Sequence, residues 1–435
     1  MTPVVAKRST LLALYRGATS LAGPVAGLIL RRRAAGGKED PARLHERLGA
    51  PQRPRPPGAL IWVHAASVGE SVSVLPLVRA ILEERSDAHV MVTTGTVTSA
   101  RLMANQLPSR AFHQFVPVDL ASSVDGFLSH WRPDLALWVE SELWPNMILE
   151  TSRRGIAMAL VSARLSDGSF KTWGRAPAAA SQLLNAFQVI LPQDVDVRDR
   201  LKSLGAHNLG EVSNLKLWAE PLSADPAALD ALQAQIGTRP LWLAASTHEG
   251  EELLAARLHR SLAHDISGLL TLIVPRHPKR GDDIATALRQ EGFALARRSQ
   301  GEPIGPQTAL YLADTLGEMG LFYRVAPVVL MGKTLIGQGG QNPLEPARLG
   351  AAILSGPHIG NFDAVFMMLA KAKGAEILPD STQVEVALRR LLGDPAAARA
   401  MGGRAQAVAG DPRPLLQTME ALRPMLRSLP LDARP

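Results

Sequence analysis

Several short segments of this 435-residue chain hold residue types that could do chemistry. His64-Ala65-Ala66-Ser67-Val68-Gly69-Glu70 closes an apolar run and opens a helical pattern. A carboxylate at such a turn can act as a general base, with the glycine letting a substrate approach the backbone. The Ser67-x-x-Glu70 spacing is equally that of a helix capping box, and spacing by itself favours the cap. Glu140 and Glu142 stand two residues apart after another apolar run. In an extended segment they would point the same way, which is costly unless they hold something positive or hydrogen-bonding; solvated loop charges are the alternative. Arg276, within Pro275-Arg276-His277-Pro278, suits a bidentate contact with a phosphate or carboxylate. Asp314-Thr315-Leu316-Gly317-Glu318-Met319-Gly320 comes next, and then the glycine-rich stretch Gly337-Gln338-Gly339-Gly340-Gln341-Asn342-Pro343-Leu344-Glu345. There Asn342 reads as an N-cap, Pro343 as the first helical residue and Glu345 as the third, so free amides would face an anion. Glu345 is either a capping carboxylate or an acceptor for two ribose hydroxyls.

Other patterns lead nowhere catalytic. Asp194-Val195-Asp196 follows a strand and opens a helix, where capping explains it. His248-Glu249-Gly250-Glu251-Glu252 lacks the second histidine of a zinc-protease helix, and the loop at 337–345 is not the dinucleotide fingerprint. With no cysteine, disulfides, thiolate metal sites and cysteine nucleophiles are excluded. No metal and no cofactor is expected.

The elements that must position these residues alternate regularly. Apolar runs at 60–65, 89–94, 112–117, 134–140, 156–163 and 187–192 are separated by helical stretches, such as 70–84 and 195–204. The rhythm loosens over 209–226 and restarts with runs at 240–246, 269–275, 308–314, 327–332 and 351–356. Continuous apolar strands with helical crossovers predict parallel sheets covered on both faces. The expected organisation is an N-terminal segment 1–55, a first α/β domain 56–213, a linker 214–226 and a second α/β domain 227–435. The helical pattern at 411–429 could cross back to the first domain. Ligands of such sheets bind beyond the carboxyl ends of the strands, which is where every segment above falls.

Net charge is +7, but residues 1–55 hold eleven basic groups against three acidic ones, so the remainder is close to neutral. That distribution does not describe a surface that wraps nucleic acid. Residues 11–30 are mildly apolar, interrupted by Arg16 and Pro24 and closed by Arg31-Arg32-Arg33. The charge follows the apolar run, unlike a signal peptide. A membrane-associating segment with its basic cluster beside anionic headgroups is one reading; an amphipathic first helix packed on the domain is the other.

Taken together, HAASVGE (64–70), VTTGT (92–96), ESELWPN (140–146), SARLS (162–166), SNLK (213–216), STHEGEE (246–252), PRHP (275–278), DTLGEMG (314–320), GGQNPLE (339–345) and GPHIGNF (356–362) resemble the 3-deoxy-D-manno-octulosonic acid (Kdo) transferases of lipopolysaccharide synthesis. The resemblance implies a GT-B glycosyltransferase: two Rossmann-like doubly wound domains facing a central cleft, on the cytoplasmic face of the inner membrane. It implies CMP-Kdo as donor and a lipid A precursor as acceptor. It carries the base onto Glu70 and a supporting carboxylate and lysine onto Glu140 or Glu142 and Lys216. CMP contacts fall on Pro275, Arg276, Gly317, Glu318, Met319, Asn342, Pro343, Leu344 and Glu345. One departure is Ser213, where the family often has glycine before Asn-Leu-Lys. A GT-B-like sugar-nucleotide epimerase is the alternative, and would need neither the basic apolar N-terminus nor a lipid acceptor.

Overall fold

The computed structural model describes residues 9–218, 221–337, 339–360 and 362–430. Lys7 and Arg8 of the basic segment, Gln338 of the glycine-rich stretch and Asn361 of GPHIGNF lie outside the described residues, as do residues 219–220 of the expected linker. The chain forms two compact units, Met1–Ala219 with Pro412–Pro435, and Glu220–Asp411.

The first unit holds a six-stranded sheet. Its strands are β1 (Leu60–His64), β2 (His89–Thr94), β3 (Ala111–Phe115), β4 (Leu135–Val139), β5 (Ala157–Ala163) and β6 (Val189–Pro192). All pairings are parallel and the order is β3-β2-β1-β4-β5-β6. The chain runs outward from β1 on one side and resumes from β4 on the other, so the loops leaving β1 and β4 diverge. A crevice at such a switch point admits ligands. Alternation along β1 sends Leu60 and Trp62 into one hydrophobic cluster, and Ile61 and Val63 into another on the opposite face. The helix Arg413–Arg427 belongs to this unit: Met419, Leu422, Met425 and Leu426 fill the second cluster. Ser213, at the position where the family often has glycine, has a use there. Its hydroxyl donates to the Pro414 carbonyl (2.7 Å) and lies 2.8 Å from the Thr418 hydroxyl.

The apolar segment near the N-terminus is two helices, α1 (Thr10–Leu21) and α2 (Gly23–Ala35). Pro24 accounts for the break, because proline lacks an N–H and clashes in a helix interior but is tolerated in a first turn. Twelve or thirteen residues at about 1.5 Å each fall short of a roughly 30 Å hydrocarbon core. Among the described residues, no helix is long and apolar enough to cross a membrane.

The second unit holds seven parallel strands: β7 (Leu241–Thr247), β8 (Leu270–Pro275), β9 (Leu295–Arg297), β10 (Leu310–Leu312), β11 (Val328–Met331), β12 (Ala352–Ser355) and β13 (Ala375–Ile377). Their order is β13-β12-β11-β7-β8-β10-β9, with the switch between β11 and β7. The short edge strands β9 and β13 have no counterpart in the apolar runs of the sequence. At the switch point Gly332 packs against the backbone of Ser246, where a Cβ would collide with the Ser246 carbonyl group. Replacing Gly332 with alanine is expected to destabilise the protein by about 1–3 kcal/mol, the usual cost of overpacking. Thermal unfolding followed by circular dichroism should show a lowered midpoint.

Candidate active site

In the first unit, Glu70 lies on the helix Val68–Ser73 that begins beyond β1, and its side chain is buried. The Ser67 hydroxyl donates to Glu70 Oε1 (2.8 Å) and accepts from the Glu70 amide (3.3 Å). Oε2 accepts from the Ala66 amide (2.8 Å). The capping arrangement is therefore present, with the carboxylate reaching one residue beyond the cap. Burial nevertheless pushes the Glu70 carboxyl up, the bond from Ser67 pulls it down, and the nearby charges of Glu140 and Glu142 push it further up. A carboxylate in this state is a better proton acceptor than one in water.

Glu140 and Glu142 follow β4, which pairs with β1, but not in the extended form expected of them. Glu140 is in the left-handed region (φ 60°), so the chain turns there and the two side chains meet different partners. Glu140 is buried and its Oε1 lies 2.5 Å from Lys216 Nζ; Arg164 is 4.0 Å from Oε2. Glu142 accepts from the Trp144 indole (2.5 Å) and lies 3.8 Å from His64 Nε2. Burial acts upward on the Glu142 carboxyl, but His64 and Trp144 outweigh it and hold it below the usual range. His64 is itself buried, with Nδ1 3.0 Å from the Thr93 hydroxyl.

Lys216 is delivered by a one-turn 3-10 helix, Leu215–Leu217, capped by Asn214, whose side chain accepts from the Lys216 amide (3.1 Å). Leu215 is fully buried, and its amide donates to the Ser162 hydroxyl at the end of β5 (2.8 Å). Glu70, Glu140, Glu142 and Lys216, all singled out from the sequence, thus meet at one end of the sheet. His64, Thr93 and Ser162 complete the arrangement; they sat in the motifs without any spacing that marked a role.

In the second unit, Pro275 ends β8 and Arg276 follows, its amide donating to the Thr247 carbonyl (2.9 Å). Neighbouring arginines are committed to carboxylates: Arg280 to Glu252 (2.9 Å), Arg297 to Asp314 (2.5 Å) and Arg298 to Glu318 (2.5 Å). Among the described residues no carboxylate lies within ion-pair distance of Arg276. Its charge acts on Glu345 and on the fully buried Tyr323. Burial pushes the Glu345 carboxyl up, while the Asn342 amide and the charges of Arg348 and Arg276 pull it down. Asn342 Nδ2 donates to Glu345 (3.4 Å).

The helix after the glycine-rich stretch differs from expectation. It spans Leu344–Arg348, with Pro343 in the cap position rather than first inside the helix, and the Leu344 amide is taken by the Asn342 side chain (3.1 Å). Pro346 adds no donor. The array of free amides expected for an anion is therefore reduced, and the side chains of Arg276 and Asn342 become the principal polar groups. The Gly317-Glu318-Met319 turn precedes the helix Met319–Val325, which packs against Leu344–Arg348 and carries Tyr323. Gly317 is left-handed (φ 84°). Glu318 is gripped by Arg298 and Thr315, which hold its carboxyl below the usual range. Asp194 caps its helix, accepting from the Val197 amide (2.8 Å).

A model of the family described as 3-Deoxy-D-manno-octulosonic-acid transferase (kdotransferase) matches residues 42–219. The chain is 35% identical to the Arabidopsis thaliana protein named "Probable 3-deoxy-D-manno-octulosonic acid transferase, mitochondrial", covering 88% of each chain. It is 34% identical to the 3-deoxy-D-manno-octulosonic acid transferase of Bordetella pertussis, covering 91% of this chain and 94% of that one. Among solved structures, the UDP-GlcNAc 2-epimerase of Neisseria meningitidis superposes with a TM-score of 0.55 over 84% of this chain and all of that one, at 12% identity. That likeness shows the GT-B type of fold, two doubly wound Rossmann-like units, and nothing about chemistry.

Removing Lys216 leaves the buried Glu140 carboxylate with only Arg164, 4.0 Å from Oε2. Lys216→Met is expected to cost about 1–3 kcal/mol, less than a fully buried pair because the lysine is partly exposed. Adding Glu140→Gln should restore much of that loss, and a double-mutant cycle by chemical unfolding measures the coupling.

Proposed function

The chain belongs to the Kdo transferase family and is a glycosyltransferase, and from that premise we propose that it moves Kdo from CMP-Kdo to the lipid A precursor lipid IVA, by inverting displacement with Glu70 as base. The observation that carries the reading is the buried Glu70 carboxylate, raised in pKa and set beside the Glu140–Lys216 pair where β1 and β4 end. A hydroxyl of the acceptor must lose a proton as it attacks the anomeric carbon. Glu70 takes that proton, a role usually worth about 10²–10⁴ in rate.

Of the two glutamates after β4, Glu140 takes the supporting role, because its contact with Lys216 fixes a cation where charge changes during attack. Glu142, paired with His64 and Trp144, shapes the pocket wall. On the donor side, CMP leaves as its phosphate gains charge. Arg276, free of carboxylate partners among the described residues, meets that charge, and Asn342 and Glu345 accept or donate to the nucleotide. Pro275, Gly317, Glu318, Met319, Pro343 and Leu344 form the backbone and walls of this site. The positive groups are the protein's own, so transfer is expected to survive EDTA.

The N-terminal helices supply the surface contact. Leu11, Leu14, Leu21, Val25, Leu28 and Ile29 are exposed, and Arg31, Arg32 and Arg33 follow directly. Apolar side chains with an adjoining basic cluster suit an interfacial helix pair lying on an anionic bilayer, here the cytoplasmic face of the inner membrane.

The test is incubation with CMP-Kdo and tetraacylated lipid IVA in detergent, read by mass spectrometry of the lipid. A Kdo-sized gain in mass that survives EDTA and is lost in Glu70→Ala supports donor, acceptor and base together; an unchanged lipid with the wild type refutes the acceptor. The pH profile gives a separate check. A base must be ionised, so its raised pKa sets the acid limb of kcat/KM above the ordinary glutamate range. Ser67→Ala removes a bond that lowers that pKa, and the limb should move to still higher pH.

A further inference from the structure

The loop carrying Glu140 and Glu142 ends at the helix Pro145–Arg153, whose own cap residue, Trp144, makes no side-chain cap. That role is filled from elsewhere in the fold. Asp119, a buried residue preceding the helix Ala121–Trp131, accepts from the Met147 amide through Oδ1 (2.8 Å) and from the Asn146 amide through Oδ2 (3.1 Å). Asn146 Nδ2 in turn donates to the Asp119 carbonyl (2.6 Å).

The same two residues hold α1. The Tyr15 phenol donates to Asp119 Oδ2 (3.0 Å), and Asn146 Nδ2 donates to the Thr19 hydroxyl (2.8 Å). Arg16 reaches Glu150 on the helix Pro145–Arg153 (3.5 Å), and Leu12 is buried in the core of the unit. Leu12, Tyr15, Arg16 and Thr19 share one face of α1 by helical spacing, whereas Leu14 and Leu21 project from the other. One side of α1 is thus exposed and apolar, and the other is bonded to the residues that start the helix behind the carboxylate loop. The path continues inward: Trp144 stands immediately before that helix and its indole donates to Glu142.

We propose that Asp119 is a positioning residue for the Glu140–Glu142 loop and that, through its bond to Tyr15 and the bond of its partner Asn146 to Thr19, it ties the seating of α1 on a lipid surface to the geometry of the acceptor site. The inference rests on the reading of α1 as an interfacial helix and of the carboxylates as acceptor-side groups. Seating α1 shifts Tyr15 and Thr19, and the shared hydrogen bonds pass that shift to Asn146, Trp144 and Glu142. An enzyme so built transfers faster when docked than when its acceptor is offered in solution.

Tyr15→Phe combined with Thr19→Val removes two hydroxyls and leaves the apolar face of α1 untouched. Trp144 reports the loop by its fluorescence, with Trp144→Phe as the spectral blank. The probe is vesicles of mixed phosphatidylglycerol and phosphatidylethanolamine, with binding read by co-flotation. For the wild type, vesicles should change Trp144 emission. The double variant should bind the vesicles equally, show no such change, and lose about tenfold in kcat towards lipid acceptor, as two lost hydrogen bonds allow. Its KM for CMP-Kdo and its rate on a deacylated, water-soluble acceptor should match the wild type. General loss of folding would lower both rates and is thereby told apart. A double variant that equals the wild type in emission and kcat overturns the inference alone. Failure of the wild type to bind vesicles overturns the surface reading, and the inference with it.

Discussion

Three carboxylates have to coexist at the carboxyl end of one parallel sheet, and much of the first unit follows from how that repulsion is managed. A carboxylate withdrawn from water costs several kcal/mol unless it is partnered, and each of the three is partnered differently. Glu70 takes two donors from its own turn, Glu140 takes a lysine, and Glu142 takes an indole and a buried imidazole. These solutions dictate backbone. Glu140 has to turn into the left-handed region to separate itself from Glu142, and Ser162 adopts the same region (φ 50°) at the end of β5, where its hydroxyl receives the turn that presents Lys216. Left-handed backbone costs non-glycine residues roughly 1–2 kcal/mol each. The strain persists because the strands beneath are fully buried and the C-terminal helix closes the second face of the sheet.

The second unit meets a related problem with the opposite emphasis. There the carboxylates of Glu252, Asp314 and Glu318 are each neutralised by an arginine, so the local charge near the strand ends is largely cancelled. Arg276 stands out against that cancelled background. Two groups near it, Glu345 and Tyr323, are pushed up by burial. An uncommitted arginine among hydrogen-bonding side chains suits an anionic ligand.

The legible parts of the sequence were those governed by period and burial. The runs containing Trp62, Trp138 and Trp242 became central strands because continuous apolar sequence has no other stable place in a parallel sheet. The strands β9 and β13 escaped notice since three-residue edge strands containing Arg297 or Glu376 carry no apolar run. The helical stretch at 70–84 is broken at Val74 into Val68–Ser73 and Leu75–Glu84, with Pro76 near the start of the second helix. At the sites, residue types were readable and partners were not. Glu140 and Glu142 look alike in sequence; only the sign of one φ angle gives the first a lysine and the second a histidine. Asp119 and Tyr323 were invisible for a related reason, because each acts through contacts distant in the chain.

The fold by itself leaves a sugar-nucleotide epimerase and a transferase equally admissible, since both are built on two doubly wound units. What separates them is the acceptor. An epimerase acts within one sugar nucleotide, removing and returning a proton on its sugar ring, whereas a transferase must also deprotonate a hydroxyl of a second substrate. A transferase requires that second site, and a lipid-borne acceptor requires a route to it from a surface. Exposed leucines on α1 and α2, the arginines that follow them, and the Glu70 cluster all belong to the first unit, while Arg276, Asn342 and Glu345 belong to the second. The polar groups are thus divided between the two units, and the proposed transfer would use that division by placing the acceptor in the first unit and the donor in the second.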